Sequence, residues 1–139
     1  MKKEITTEKA PQGIGPFSQA IEANGFVFAS GQIALDPKTG ELNSGSVEEQ
    51  TRLVLNNLKS VFEAAETSLD NVVKCNVYLQ DMGDYSAMNA VYKEFFNSPF
   101  PARAAVQVAR LPKDVKVEVE AIAVKIEESD KSQNEGNLS

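Results

Sequence analysis

Residues 46–79, SVEEQTRLVLNNLKSVFEAAETSLDNVVKCNVYL, decide the fold, because the hydrophobic period changes within this stretch. Its first half has apolar residues at the spacing of one helix face. They are Val54, Leu58, Val61, Phe62 and Ala65. Ser46 followed three residues later by Glu49 has the spacing of a capping box. We therefore predict an amphipathic helix that begins near Val47 and packs on a sheet.

The second half of the stretch predicts a strand of that sheet. Residues 72–79 are rich in β-branched side chains and have the usual length of a strand. Strict alternation places four side chains on one face. They are Val73, Cys75, Val77 and Leu79. We therefore interpret Cys75 as a small buried apolar residue.

The flanking segments supply further elements on both sides. Before the stretch, strands are predicted at residues 3–8, 17–23 and 26–30, the last two joined by the turn Asn24-Gly25. After it, a second amphipathic helix ends before Pro99, and two more strands span residues 103–109 and 115–125. The apolar positions of that helix are Met88, Val91, Tyr92, Phe95 and Phe96.

This element order predicts one α+β domain over residues 1–126, a mixed sheet of about six strands with both helices on one face. The chain has 139 residues, of which 42% are apolar, and this suits a single core. Two helices cover one sheet face, so the other face is left to solvent or to another subunit. Residues 127–139 are polar and are expected to form a disordered tail.

The composition excludes several kinds of active site. The chain has no histidine, which removes Ser-His-Asp and Cys-His sites, histidine-ligated zinc and the paired-histidine chemistry of many metal-free ribonucleases. The single cysteine, Cys75, excludes an intrachain disulfide and a multi-thiolate zinc site, so no metal is expected. A net charge of -6 disfavours nucleic acid as a partner. No apolar stretch reaches membrane-spanning length, and we expect a soluble cytoplasmic protein.

Two charged positions stand out among the predicted strands. Arg103 begins an otherwise apolar strand, where a guanidinium needs a carboxylate from an ion pair within the chain, from another subunit or from a ligand. Glu118 and Glu120 lie on one face of the last strand, opposite Val117 and Val119, as solvated charges or as acid/base groups. From spacing alone, these alternatives stay open.

Five motifs in register resemble the RidA (YjgF) family of reactive intermediate deaminases from about residue 7 to residue 126. They are Ile14-Gly15-Pro16-Phe17-Ser18-Gln19-Ala20, Ser30-Gly31-Gln32-Ile33, Pro101-Ala102-Arg103, Ala109-Arg110-Leu111-Pro112-Lys113-Asp114 and Val117-Glu118-Val119-Glu120-Ala121. The resemblance implies a chorismate-mutase-like fold and a homotrimer whose sheets form a central barrel with active sites between subunits. It also implies hydrolysis of 2-aminoacrylate and related enamines or imines from PLP-dependent enzymes to 2-oxo acids and ammonia, with no cofactor.

The resemblance also assigns roles to individual residues. Arg103 matches the arginine that binds the substrate carboxylate, and Glu118 matches the acidic residue that positions water. The matching substrate-binding positions are Phe17, Ser30, Gly31, Asn89 and Ala105. Two of them depart from the family pattern, because Phe17 stands where tyrosine is common and Ala105 where cysteine is common. A cysteine nucleophile at that position is therefore excluded.

Two other functions compete with the deaminase. The same arginine cleft could serve a regulatory module that binds a 2-oxo or short-chain acid without turnover. An endoribonuclease is an older label for the family, and the missing histidines and the negative net charge oppose it.

Overall fold

The computed structural model describes residues 1–125, so the predicted tail at 127–139 lies outside the described residues. Within these residues the chain forms six strands and two α-helices. They are β1 Lys3–Ile5, β2 Ala20–Ala23, β3 Phe26–Gln32, α1 Val47–Ala64, β4 Val72–Leu79, α2 Tyr85–Phe95, β5 Ala102–Gln107 and β6 Val117–Val124. Strands β1, β2, β5 and β6 are shorter than predicted, and the segment before β2 forms a loop instead of a strand.

The six strands form one sheet in the order β1-β2-β3-β6-β4-β5. The pair β4 and β5 is parallel, and the other neighbours are antiparallel, so the sheet is mixed. Helix α2 connects the two parallel strands, and α1 packs on β3 and β6 and against α2. The predicted α+β architecture, a six-stranded mixed sheet with both helices on one face, is confirmed.

Helix α1 begins where the capping box predicts. Ser46 is the N-cap, and its hydroxyl accepts a hydrogen bond of 3.1 Å from the backbone N–H of Glu49. The predicted apolar stripe is buried throughout. This stripe meets the inward side chains of the sheet, so the helical period seen in the sequence builds the core.

Strand β4 departs from the predicted alternation at one residue. Val72 pairs with Ala123 and Lys74 pairs with the next residue of β6, Ile122, so Val73 is an extra residue on β4. Val73 is therefore 42% exposed, and Val72 takes the buried position that alternation assigned to Val73. From Cys75 onward the prediction is correct, since Cys75, Val77 and Leu79 are fully buried beneath the helices.

The sheet face that the helices leave uncovered, which we call the open face, is partly apolar. Phe26, Phe28 and Val106 lie on it and are 41% to 46% exposed. Among residues 1–125, no helix combines the length and the hydropathy needed to cross a bilayer.

Candidate active site

Arg103 projects from β5 toward the face that the helices cover. It pairs with Cys75 of β4, whose side chain lies in the core, and neighbouring residues of paired strands point the same way. Its guanidinium donates to the side-chain oxygen of Asn89 at 2.6 Å and to the hydroxyl oxygen of Tyr85 at 2.9 Å. The Cζ atom lies 4.7 Å from the ring centroid of Tyr92. Helix α2 thus holds the guanidinium with residues at i, i+4 and i+7, which share one helix face.

Within residues 1–125, Arg103 has no carboxylate partner. The described ion pairs use other cations, namely Arg52, Arg110 and Lys125. An ion pair within the described chain, one of the alternatives left open by the sequence, is therefore absent. Guanidinium N–H groups remain for a ligand beside a cavity of about 370 Å³. Its lining is Asn89, Tyr92, Lys93, Phe100, Pro101 and Arg103.

Glu118 projects toward the open face and lies against Gly31. Glu118 pairs with Tyr78, which points away from the buried residues of β4. Between Ala29 and Gln32, β3 has one residue more than β6, and Gly31 lies in this bulge. A Cβ atom at Gly31 would overlap the carboxylate of Glu118. The absence of a side chain at residue 31 therefore lets the carboxylate lie directly on the bulged backbone.

The carboxylate of Glu118 lines a larger cavity of about 580 Å³. Its lining includes Ile14, Phe17, Gly31, Ile33, Lys113 and Glu118. Partial burial, and secondly the negative charge of Glu120, raise the pKa of Glu118 above its ordinary value. A carboxylate with a raised pKa is a stronger base, as an acid/base role requires.

Glu120, the other acidic residue on this face of β6, is held by its own hydrogen bonds. Its carboxylate accepts from the hydroxyl of Tyr78 at 2.6 Å and from the amide of Asn76 at 3.1 Å. This bond to Glu120 is the largest of the effects that raise the pKa of Tyr78 to about 12. Glu120 is therefore engaged within the sheet, whereas Glu118 faces the cavity.

A loop at residues 11–18 forms one wall of the Glu118 cavity, and the buried side chain of Gln19 holds it in place. The Gln19 amide donates to the carbonyl oxygens of Ala10 and Pro11, and its oxygen accepts from the N–H of Thr7 at 2.7 Å. The hydroxyl of Ser30 donates to the carbonyl oxygen of Ser18 at 2.6 Å. The predicted Ser30 thus contacts the end of this loop, while a role of its hydroxyl toward substrate stays a prediction.

The predicted site residues fall into two groups on opposite faces of the sheet. Asn89 and Ala105 lie on the helix-covered side with Arg103. Phe17 and Gly31 line the cavity of Glu118. Among residues 1–125, none lines both cavities. One chain therefore does not bring Arg103 and Glu118 together, whereas the family resemblance implies that they act in one site between subunits.

Each of these two groups, one around Arg103 and one around Glu118, is called a half-site. Sequence reasoning missed three residues that shape the half-sites. Tyr85 and Tyr92 contact Arg103, and Gln19 holds the cavity loop. The sequence could have predicted the two tyrosines, because their spacing places them on the same helix face as Asn89. The burial of Gln19 could not be predicted, since a buried glutamine cannot be told from an exposed one by its neighbours in sequence; its place in the family motif at residues 14–20 was the only signal for it. Among residues 1–125, no group of three or more metal-ligating side chains is present.

Comparison with known proteins extends over nearly the whole chain. The family model described as endoribonuclease L-PSP matches residues 7–125. A RutC family protein of Pyrococcus horikoshii is 57% identical over 90% of this chain and 99% of that protein. A 2-iminobutanoate/2-iminopropanoate deaminase of Bos taurus is 48% identical over 89% of this chain and 90% of its own length.

A solved structure agrees in fold as well as in sequence. The structure of Escherichia coli TdcF with bound serine has a TM-score of 0.83 and 44% identity, and the match covers 88% of this chain and 98% of that one. The family model spans strands β2 to β6, both helices and both half-sites. The chain therefore belongs to the endoribonuclease L-PSP family, also known as the RidA (YjgF) family.

Proposed function

We propose that the protein hydrolyses 2-aminoacrylate and related enamines or imines to 2-oxo acids and ammonia, at a site shared by two copies of the chain. The observation that carries the proposal is Arg103, a guanidinium fixed by Asn89 and Tyr85 and without a carboxylate partner in residues 1–125. Such a fork fits a substrate carboxylate. The bovine relative is named for 2-imino acids, and the E. coli relative was solved with serine, which also carries a carboxylate.

The reaction needs only the groups that the two half-sites offer. The enamine tautomerises to an imine, which gains a proton at nitrogen and becomes electrophilic at carbon. Water then adds to this carbon and loses a proton to Glu118, which gives a carbinolamine. Glu118 returns this proton to the amino nitrogen, and the C–N bond then breaks with ammonia as the leaving group. The hydroxyl proton passes to Glu118 and on to solvent as the carbonyl of the 2-oxo acid forms, which balances the proton that the imine first took up. Arg103 orients the carboxylate while Glu118 moves the proton, and no histidine is required.

The placement of the two residues supports a site between subunits. Arg103 lies on the helix-covered side and Glu118 faces the open side, so one substrate contacts both only if a second copy contributes one of them. The partly apolar open face, with Phe26, Phe28 and Val106, offers a surface for that copy. We propose the homotrimer that the family resemblance implies, with the three sheets forming a barrel, acting in the cytoplasm.

A binding module without turnover is the second candidate, because the Arg103 cavity alone suffices to hold a carboxylate. Measurable turnover of 2-aminoacrylate separates the two candidates. The endoribonuclease in the family's description is disfavoured for this chain by the absence of histidine and the net charge of -6.

Subunit mixing tests the shared site directly. Arg103→Ala and Glu118→Gln chains are each assayed alone and then after unfolding and refolding together in equal amounts. 2-Aminoacrylate is generated by a serine dehydratase, and the unhydrolysed fraction is trapped with semicarbazide. In a cyclic trimer with random assortment, roughly a quarter of the sites receive both native residues, so activity should return to about that fraction of wild type.

Two controls make the mixing result decisive. Native mass spectrometry should show three subunits in each sample, and wild-type protein refolded in the same way sets the attainable activity. If the mixture were no more active than the mean of its two components while the wild type refolded well, Arg103 and Glu118 would not act at one intersubunit site.

A further inference from the structure

The hydroxyl of Tyr85 lies beside Arg103 and accepts a hydrogen bond from it. Its oxygen accepts a hydrogen bond of 2.9 Å from the guanidinium, and the guanidinium carbon lies 5.5 Å from the centroid of its ring. Among residues 1–125, no acceptor takes the hydroxyl proton. The phenol therefore has its oxygen engaged and its proton free, next to the group proposed to bind the substrate carboxylate.

Tyr92 shows that contact with Arg103 alone does not create this arrangement. The ring of Tyr92 lies closer to the guanidinium carbon, at 4.7 Å, but its hydroxyl is buried and interacts with the thiol of Cys75 in the core. Tyr92 thus contributes a ring face. Tyr85 contributes a ring and a hydroxyl on the same side as the guanidinium N–H groups.

We propose that Tyr85 is a further substrate-binding residue, whose hydroxyl donates a hydrogen bond to the carboxylate held by Arg103. The inference rests on the proposed function, because it needs a carboxylate at Arg103. A phenol that accepts a charge-assisted hydrogen bond is polarised and becomes a better donor. A carboxylate has about four lone-pair sites, so it can accept from the guanidinium and from the phenol together.

The same geometry makes binding sensitive to alkaline pH. The hydrogen bond from Asn89, and next the positive charge of Arg103, lower the pKa of Tyr85 from its ordinary value. Arg103 is the only charged side chain in residues 1–125 that hydrogen-bonds Tyr85, and Asn89 is neutral. Below the pKa the hydroxyl donates to the ligand. Above it the phenolate pairs with Arg103 and competes with the ligand carboxylate, so affinity falls as pH rises.

The experiment uses sodium pyruvate as a non-reacting 2-oxo acid. Its affinity for the full-length oligomer is measured by isothermal titration calorimetry between pH 7 and pH 10 for the wild type and for Tyr85→Phe, which keeps the ring. We expect Tyr85→Phe to bind pyruvate roughly tenfold more weakly at pH 7, as for the loss of a hydrogen bond to a charged group. We also expect the variant to lose the alkaline decline that the wild type shows.

Tyr78→Phe is the matched control, because it removes a phenol hydroxyl from the opposite face of the sheet. It should keep both the affinity and the alkaline decline. The inference is overturned if Tyr85→Phe matches the wild type at every pH. The proposed function fails separately if Arg103→Ala binds pyruvate as tightly as the wild type, since no carboxylate then depends on the guanidinium.

Discussion

The helix-covered side and the open side of the sheet hold half-sites of different construction. On the covered side, Arg103 is fixed by three residues of one regular helix, Tyr85, Asn89 and Tyr92. On the open side, Glu118 of β6 contacts a bulge of β3 and faces a loop that Gln19 holds in place. Packing against a regular helix thus fixes the position of Arg103, whose guanidinium is always charged. A strand bulge and a loop fix the position of Glu118, whose carboxylate is titratable. In the site that we propose, the groups for recognition and for proton transfer are therefore built separately and meet only between subunits.

The largest expected effect on activity comes from removing the permanent charge of Arg103. Arg103→Ala should lower kcat/KM for 2-aminoacrylate at least about a hundredfold, because a bidentate charge-assisted clamp supplies several kcal/mol. Circular dichroism and native mass spectrometry should show an unchanged fold and oligomer, since Arg103 lies on an edge strand outside the core. An activity within about threefold of wild type would show that recognition does not depend on the covered side.

Substitution of Glu118 should affect turnover but not ligand affinity. Glu118→Gln keeps the size of the side chain but removes the base, so turnover should fall roughly ten- to a thousandfold, while the affinity for pyruvate changes little. Kinetics and calorimetry on the same variant separate these two effects. Loss of pyruvate binding with normal turnover by the remaining complex would assign Glu118 to recognition instead.

Glu120→Gln is the control on the same strand face. Its carboxylate is engaged by Tyr78 and Asn76, so turnover should fall less than in Glu118→Gln. Because the charge of Glu120 contributes to the raised pKa of Glu118, its removal lowers that pKa. The rise of kcat/KM on the acid side of the pH profile should therefore shift to lower pH.

The smallest expected effect on turnover comes from Gly31→Ala, which tests how much the position of the Glu118 carboxylate matters. In Gly31→Ala the new methyl group displaces the carboxylate of Glu118, the flexible end of a side chain, so the fold should tolerate it. Turnover should fall about three- to tenfold with little change in melting temperature, since a misplaced base is less effective than a well-placed one. A large loss of stability with normal specific activity would show that Gly31 serves folding alone.

Much of the fold follows from local patterns, and particular residues show where such patterns end. Ser46 and Glu49 predicted the start of α1, and the apolar stripe of that helix predicted its buried face, because capping and helical period act within a few residues. Val73 was assigned to the wrong face, because the bulge depends on how β4 pairs with β6. Tyr85 was missed because its partner, Arg103, is 18 residues away in sequence.

The sequence by itself determined the element types, the family motifs and the chemistry that the absence of histidine excludes, since these depend on composition and on short spacings. Only the tertiary structure decided which residues meet. Arg103 and Glu118 belong to strands separated in the sheet by β4, and their side chains leave the sheet on opposite faces. Alternation along one strand predicts which of its side chains share a face, but the order of the strands in the sheet, and so the relation between the faces of two separate strands, depends on long-range pairing. For this reason the division of the candidate site between two faces became visible only in the folded chain.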